Sequence, residues 1–137
     1  MLSAKGRVIM VSGANRGIGL ATATCLAALG YQLSLGARQP KSIPVPEQGT
    51  NHMVHHWDAE DQGTSAAWVT ETIAYYGRID GVVLNAGVEL GGSLESGTEE
   101  DIDRMFAVNF KSLFTSCKSL MITSLVSLHH FCASLES

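Results

Sequence analysis

The first concentration of apolar residues is Arg7 to Val11, a nearly unbroken run that enters a glycine turn and predicts a buried parallel strand. Gly17 to Leu29 predicts a helix, with Ile18, Ala21, Cys25 and Leu29 near one face and Gly30 as its stop. Tyr31 to Arg38 predicts a second strand. Pro40, Pro44 and Pro46 forbid a regular helix, so 39–50 is expected to be loop. The segment HMVHHWD, residues 52–58, predicts a third strand ending at Asp58. A helix is expected from Asp61 to Tyr76, with Ala66, Val69, Ile73 and Tyr76 on one side and Gly77 closing it. Ile79 to Gly87 predicts a fourth strand running into a turn, and ELGGSLESG, residues 89–97, predicts a loop.

Thr98 followed by Glu99, Glu100 and Asp101 predicts an N-cap with acids in the first turn, where free N–H groups and the helix dipole favour negative charge. Ile102, Met105, Phe106, Phe110, Leu113, Phe114, Cys117, Leu120 and Met121 then keep helical spacing. Leu125, Leu128, Phe131 and Cys132 continue it, and no glycine or proline follows residue 97. Strands separated by helices predict an α/β fold, a parallel sheet in three layers with helices on both faces. With no dividing linker, residues 1–137 are expected to form a single, incomplete domain.

Composition narrows the function classes. The chain is 45% hydrophobic with a formal charge of −4, and it lacks the basic blocks that steer a protein to nucleic acid. The N-terminus MLSAKGR has no apolar core of a signal peptide, and no run reaches the ~20 apolar residues of a membrane span, which predicts a cytoplasmic protein. Cys25, Cys117 and Cys132 lack metal-ligand spacing and read as buried thiols in a reducing compartment. His55 and His56 would point to opposite faces of a strand. His52 shares a face with His56 but no carboxylate or cysteine ligand is evidently paired with them, and His129 and His130 are merely adjacent. No metal site is predicted.

The candidate chemistry lies in SGANRGIG, residues 12–19, between the first strand and the first helix. A strand that ends in a glycine turn opening a helix brings backbone amides and a partial positive charge against an anion such as a pyrophosphate. Small residues let the ligand approach. The spacing of Gly13, Gly17 and Gly19 is G-x-x-x-G-x-G, and a purely structural turn is the alternative. At the end of the second strand, where an acid would accept from a ribose, the chain reads Gly36-Ala37-Arg38. Arg38 with Arg16 predicts a clamp for a 2′-phosphate, hence NADP(H) over NAD(H); an exposed Arg38 without function is the alternative.

These residues resemble the N-terminal half of the short-chain dehydrogenase/reductase family, over roughly residues 5–118, with 119–137 divergent. Gly13 to Gly19 matches its glycine motif, with Ser12 where threonine is commoner. Asn85-Ala86-Gly87 matches its turn after the fourth strand, with Leu84 where an asparagine is often found. Asn109 matches the helix asparagine of its catalytic tetrad. The resemblance implies a Rossmann-like, NAD(P)-binding domain. It places Gly13, Asn15, Arg16, Gly17, Ile18 and Gly19 around pyrophosphate and ribose, Asp58 and Ala59 at adenine, and Asn85, Ala86 and Gly87 along the cofactor. Without it, Asp58 reads as a cap or solvent-facing acid, Asn85 as a turn former and Asn109 as a polar residue at a helix surface or a helix–backbone link.

The family's remaining catalytic residues have no match. Members carry a serine after a fifth strand and then Tyr-x-x-x-Lys, in which the cation lowers the pKa of the phenol that exchanges the proton. Here Tyr31, Tyr75 and Tyr76 all precede Asn109, the last lysine is Lys118, and neither Ser134 nor Ser137 follows a strand. The expectation is a sheet truncated after about four strands, in the order 3-2-1-4 by family analogy. Its apolar fourth strand would be an open edge inviting self-association. The functional reading is an NADP(H)-dependent oxidoreductase whose chain is catalytically incomplete; the alternative is a non-catalytic dinucleotide-binding or interaction protein. No substrate is legible.

Overall fold

A computed structural model describes residues 3–44, 52–89, 91, 93 and 95–135, with the side chains of the last helix described as far as Thr123. The elements are β1 (Val8–Ser12), α1 (Gly17–Ala28), β2 (Gln32–Ala37), β3 (Met53–His56), α2 (Gln62–Tyr76), β4 (Gly81–Val83), α3 (Glu99–Phe106) and α4 (Ser112–Leu135). The strands form one parallel sheet in the order β3-β2-β1-β4. A short 3-10 turn, Pro40–Ser42, occupies the described part of the proline loop; Pro46 and Gly49 lie outside the described residues, as do Leu90, Gly92 and Leu94 of the later loop.

Strand alternation divides β2 between two cores. Leu33, Leu35 and Ala37 join Val11, Ala23 and Ala27 beneath α1. Ser34 and Gly36 face the other side, where Met10, Trp57, Trp68 and Val69 pack. A Cβ at Gly36 would stand 2.9 Å from the Trp68 ring and 3.1 Å from the Trp57 Cβ, so the indoles need that position bare. The two indole centroids are 5.9 Å apart in a tilted arrangement.

The helix faces differ from those expected. α1 buries Gly19, Ala23 and Ala27, spaced by four, whereas Ile18, Ala21, Cys25 and Leu29 are exposed. Its composition is apolar on every side, so periodicity has no face to select. Close approach to the sheet selects the smallest side chains instead. The buried face of α2 is Thr64, Ser65, Trp68, Val69 and Thr72; Ala66 is exposed, while Ile73 and Tyr76 are half-buried.

Hydroxyl groups line the second core because each has a partner. Trp68 donates to Ser34 at 2.8 Å, Ser34 meets Thr72 at 2.8 Å, and Thr72 donates back to the Trp68 carbonyl at 2.7 Å. Trp57 donates to Ser65 at 3.0 Å, and Ser65 meets Ser116 of α4 at 3.1 Å. Buried polar groups satisfied in this way cost little, and they fix how α2 and α4 meet.

The chain from Thr98 is helical as expected, with a complete capping box between Thr98 and Asp101. A wide π turn, Ala107–Lys111, joins α3 to α4. Val108, Ser112 and Ser116 face inward, and the apolar row Ile102, Phe106, Phe110, Phe114 and Met121 is exposed. Cys25 and Cys117 are exposed rather than buried thiols. The side chains of Leu125, Leu128, His129, His130, Phe131, Cys132 and Ser134, and all of Ser137, lie outside the described residues.

β4 is shorter than the predicted Ile79–Gly87 because both ends turn to other partners. At its start, the Asp80 carboxylate accepts from the Val8 N–H at 2.9 Å and from Arg78 Nε at 2.8 Å. The bond from Arg78, joined by the Val8 N–H, holds that carboxyl below its ordinary range against an opposing desolvation. A carboxyl depressed by folding stabilises the fold above its unfolded pKa, and that contribution disappears as pH falls through the folded value. Asp80→Asn is expected to lower stability by about 1–2 kcal/mol near neutral pH. Urea unfolding of both proteins should show the difference shrinking below about pH 4; a difference independent of pH would contradict this origin.

Candidate functional site

The glycine turn is built by close approach of β1, α1 and the segment after β4. Gly13 and Gly17 have φ of +65° and +55°, the left-handed region in which a side chain is strained. A Cβ at Gly13 would lie 3.1 Å from Asn85 Nδ2 and 3.2 Å from Ala86 Cα. One at Gly19 would lie 2.6 Å from Asn85 Nδ2. At Gly17 it would meet nothing within 4 Å, so there the constraint is conformation.

Ser12 ties the turn to β4. Its hydroxyl accepts from the N–H groups of Asn85 at 3.0 Å and Ala86 at 3.2 Å, and its carbonyl accepts from Asn85 Nδ2 at 3.3 Å. These bonds take the amides that would have prolonged the β4 ladder. Asn85 is thus a turn former and a brace at once.

Arg16 is the N-cap of α1, with no side-chain cap and no acid in the first turn. In contrast, Asp61 caps α2 through the Gly63 N–H, and Thr98 caps α3. The first amides of α1 therefore keep their donor capacity and the positive end of the helix dipole toward an adjoining cleft.

That cleft has a volume of about 720 Å³. Gly13, Asn15, Arg16, Gly17 and Ile18 line one wall, Arg38 the end of β2, and Asp58 with Ala59 the turn after β3. Asn85, Ala86 and Gly87 line the side next to β4. Gly19 is absent from the lining and lies in the packed floor. Asn15 donates to Ser42 at 3.3 Å, linking the glycine turn to the 3-10 turn. Asp58 accepts from the Glu60 N–H at 3.0 Å, so it closes its own turn while standing on the cleft wall.

The same cleft includes Gln39, His56, Trp57, Glu60, Val88 and Val108, none of which the motifs single out. His56 is brought there by the parallel register, which sets it opposite Ala37, next to Arg38. Glu60 is joined to Arg104 of α3 by an ion pair of 3.1 Å at the exposed rim.

Asn109 is not in the cleft lining, where its neighbour Val108 is. Its Oδ1 accepts from the Val88 N–H at 2.8 Å, and its Nδ2 donates to the Val88 carbonyl at 2.9 Å. The π turn contains this residue, and the amide pins helix to loop. The Tyr76 hydroxyl donates to the Leu33 carbonyl at 2.9 Å, and burial, followed by the neighbouring Tyr75, pushes its pKa up to about 12. That group is a structural phenol held protonated.

Among the described residues, no helix is long and apolar enough to cross a membrane. His55 pairs with Glu71 at 2.8 Å, and no group of three or more metal-ligating side chains occurs among the described residues.

The family model described as short chain dehydrogenase matches residues 7–127. A putative ketoacyl reductase of monensin polyketide synthesis from Streptomyces virginiae is 34% identical over 128 residues, covering 90% of this chain and 49% of that protein. Agropine synthesis reductase from Rhizobium rhizogenes is 54% identical over 82 residues, 58% of this chain but 19% of that one. Among solved structures, an alcohol dehydrogenase from Thermococcus sibiricus complexed with 5-hydroxy-NADP superposes with a TM-score of 0.78 at 32% identity, covering 84% of this chain and 52% of that one. A metagenomic short-chain oxidoreductase in complex with NADP gives 0.75 at 29% identity, covering 92% and 60%. The chain thus spans about half the length, or less, of the curated relatives it matches.

Because a Cβ at Gly19 would run into the Gly13 carbonyl first and Asn85 Nδ2 next, Gly19→Ala must shift the backbone of the glycine turn as well as its brace to β4. Thermal melting is expected to show a loss of about 1–3 kcal/mol, the usual cost of overpacking. A variant as stable as the parent would show that this contact is not a constraint.

Proposed function

This chain belongs to the short-chain dehydrogenase family, and on that premise we propose that it binds NADP(H) in the cleft at the C-terminal ends of its strands. The uncapped N-terminus of α1, opening between Gly13 and Gly17, carries the proposal: donors and dipole converge where a pyrophosphate would lie. Open backbone at Gly17 and the volume of the cleft fit a dinucleotide. When bound, the nicotinamide supplies hydride exchange with a carbonyl or hydroxyl carbon.

The protein's part is to hold and orient. Gly13, Asn15, Arg16, Gly17 and Ile18 would face the pyrophosphate and its ribose. Asp58 and Ala59 would flank adenine, and Asn85 to Gly87 would line the path toward nicotinamide. Gly19 contributes by being small. Arg38, at the end of β2, would meet a 2′-phosphate with Arg16. The two NADP-containing structural neighbours support that choice of cofactor.

Proton transfer is the part this stretch does not supply. Its sequence contains no Tyr-x-x-x-Lys, Tyr76 is held protonated against a backbone carbonyl, and Asn109 spends both ends of its amide on Val88. We assign these 137 residues cofactor binding without turnover, within an oxidoreductase family. A non-catalytic dinucleotide-binding protein is the second reading, favoured by the structural engagement of Asn109. Exposed thiols at Cys25 and Cys117 suit a reducing, cytoplasmic setting.

Self-association completes the proposal. Among the described residues β4 lies at the sheet edge, with its outer backbone groups available to another chain, and the apolar row from Ile102 to Met121 on the later helices is exposed.

Fluorescence titration with both reduced cofactors should give tighter binding of NADPH than NADH, and Arg38→Ala should weaken NADPH by about tenfold or more while leaving NADH nearly unchanged. Equal affinities would refute the phosphate clamp, and measurable carbonyl reduction by the purified chain would refute the assignment without turnover. In sedimentation velocity, the weight-average coefficient should rise with concentration. A monomer at every concentration would exclude association through the edge.

A further inference from the structure

His56 is the last residue of β3, an exposed imidazole on the wall of the dinucleotide cleft. Parallel pairing sets it opposite Ala37, and its Nδ1 lies 3.0 Å from the carbonyl oxygen of Arg38. A carbonyl can only accept, so Nδ1 carries the hydrogen and donates it. This contact removes one of the two neutral tautomers. Nε2, at the far edge of the ring, is then a bare lone pair in the neutral imidazole and an N–H donor with positive charge in the imidazolium.

We infer that His56 is a third cationic contact for the 2′-phosphate, present only when protonated, which makes the preference for NADPH over NADH dependent on pH. The inference rests on the NADP(H) reading of the cleft and adds its regulation. A phosphate dianion beside Nε2 is repelled by the lone pair of the neutral ring and attracted by the N–H of the imidazolium. Binding of NADPH therefore draws one proton from solvent onto Nε2, and no covalent bond changes. By linkage, NADPH affinity falls as pH rises and the imidazolium is lost, whereas NADH, lacking the phosphate, gains nothing from the proton.

The surrounding charges are consistent with an anion at this corner. Arg16 at the start of α1, Arg38 beyond β2 and Lys41 on the 3-10 turn supply positive charge. Asp58 and Glu60 follow β3; Asp58 is engaged with the Glu60 N–H, and Glu60 is paired with Arg104 of α3. Asp61 is occupied as the cap of α2. His55 and Glu71 form their own pair on the opposite face of β3, and His52 lies at the other end of that strand.

The test is calorimetric titration of the full chain with NADPH and NADH between about pH 5 and 8, the interval in which imidazoles change charge. Wild type should lose NADPH affinity across it, by at most about tenfold per pH unit for one linked proton, with NADH affinity flat. His56→Gln should bind NADPH more weakly at the acid end and approach wild type at the alkaline end. His56→Lys, a permanent cation, should bind NADPH tightly without that slope. The 2′-phosphate takes up its own proton near about pH 6, so the difference between wild type and His56→Gln is the quantity read. Matching slopes in the two proteins, or equal loss of both cofactors in both variants, overturns the inference while the clamp stands. Wild type indifferent to the 2′-phosphate at every pH overturns the clamp and this inference with it.

Discussion

The site depends on how closely backbone meets backbone where β1 ends. Gly13 and Gly19 leave no volume beside Asn85, and the Ser12 hydroxyl gathers the amides of Asn85 and Ala86. This contact joins the first and fourth strands at the level of the cleft. It also fixes where α1 starts, with its amides uncapped and turned toward the space between the strand ends. A larger side chain at either glycine would push the two turns apart, and the helix terminus would lose its aim.

Much of this was readable from residues, and the reasons are local. A strand, a glycine turn and a helix leave strong marks, so the parallel sheet and the cleft wall from Gly13 to Ile18 follow directly from the pattern. Arg38 was legible because the end of the second strand must stand near the glycine turn in any sheet that pairs β1 with β2. Thr98 and Asp101 announced their helix through capping chemistry that needs no tertiary partner.

Helix faces were less legible, because they are decided by what each helix packs on. α1 is apolar all round, and its smallest residues win the interface. α2 and α4 turn hydroxyls inward, where indoles and other hydroxyls satisfy them, and α3 and α4 leave aromatics outside. A hydrophobic count reads those positions backwards. His56 was missed for a related reason: its place on the cleft wall comes from register across two strands, invisible in any short motif. Asn109 matched by position and was also read as a helix–backbone link; its partner, Val88, is what the folded loop adds.

On the family-level scaffold we propose a division of labour, in which this stretch would grip the cofactor and supply no proton donor of its own. The central physical claim is that the first amides of α1 receive a diphosphate. Backbone amide NMR of the labelled chain, followed during addition of ADP-ribose, reads those groups individually. The account predicts the largest shifts at the amides of residues 13–19, with smaller ones along the ends of β2 and β3 and little along the outer face of α4. Shifts confined to the exposed face of α3 and α4, with residues 13–19 unmoved at saturation, would contradict it.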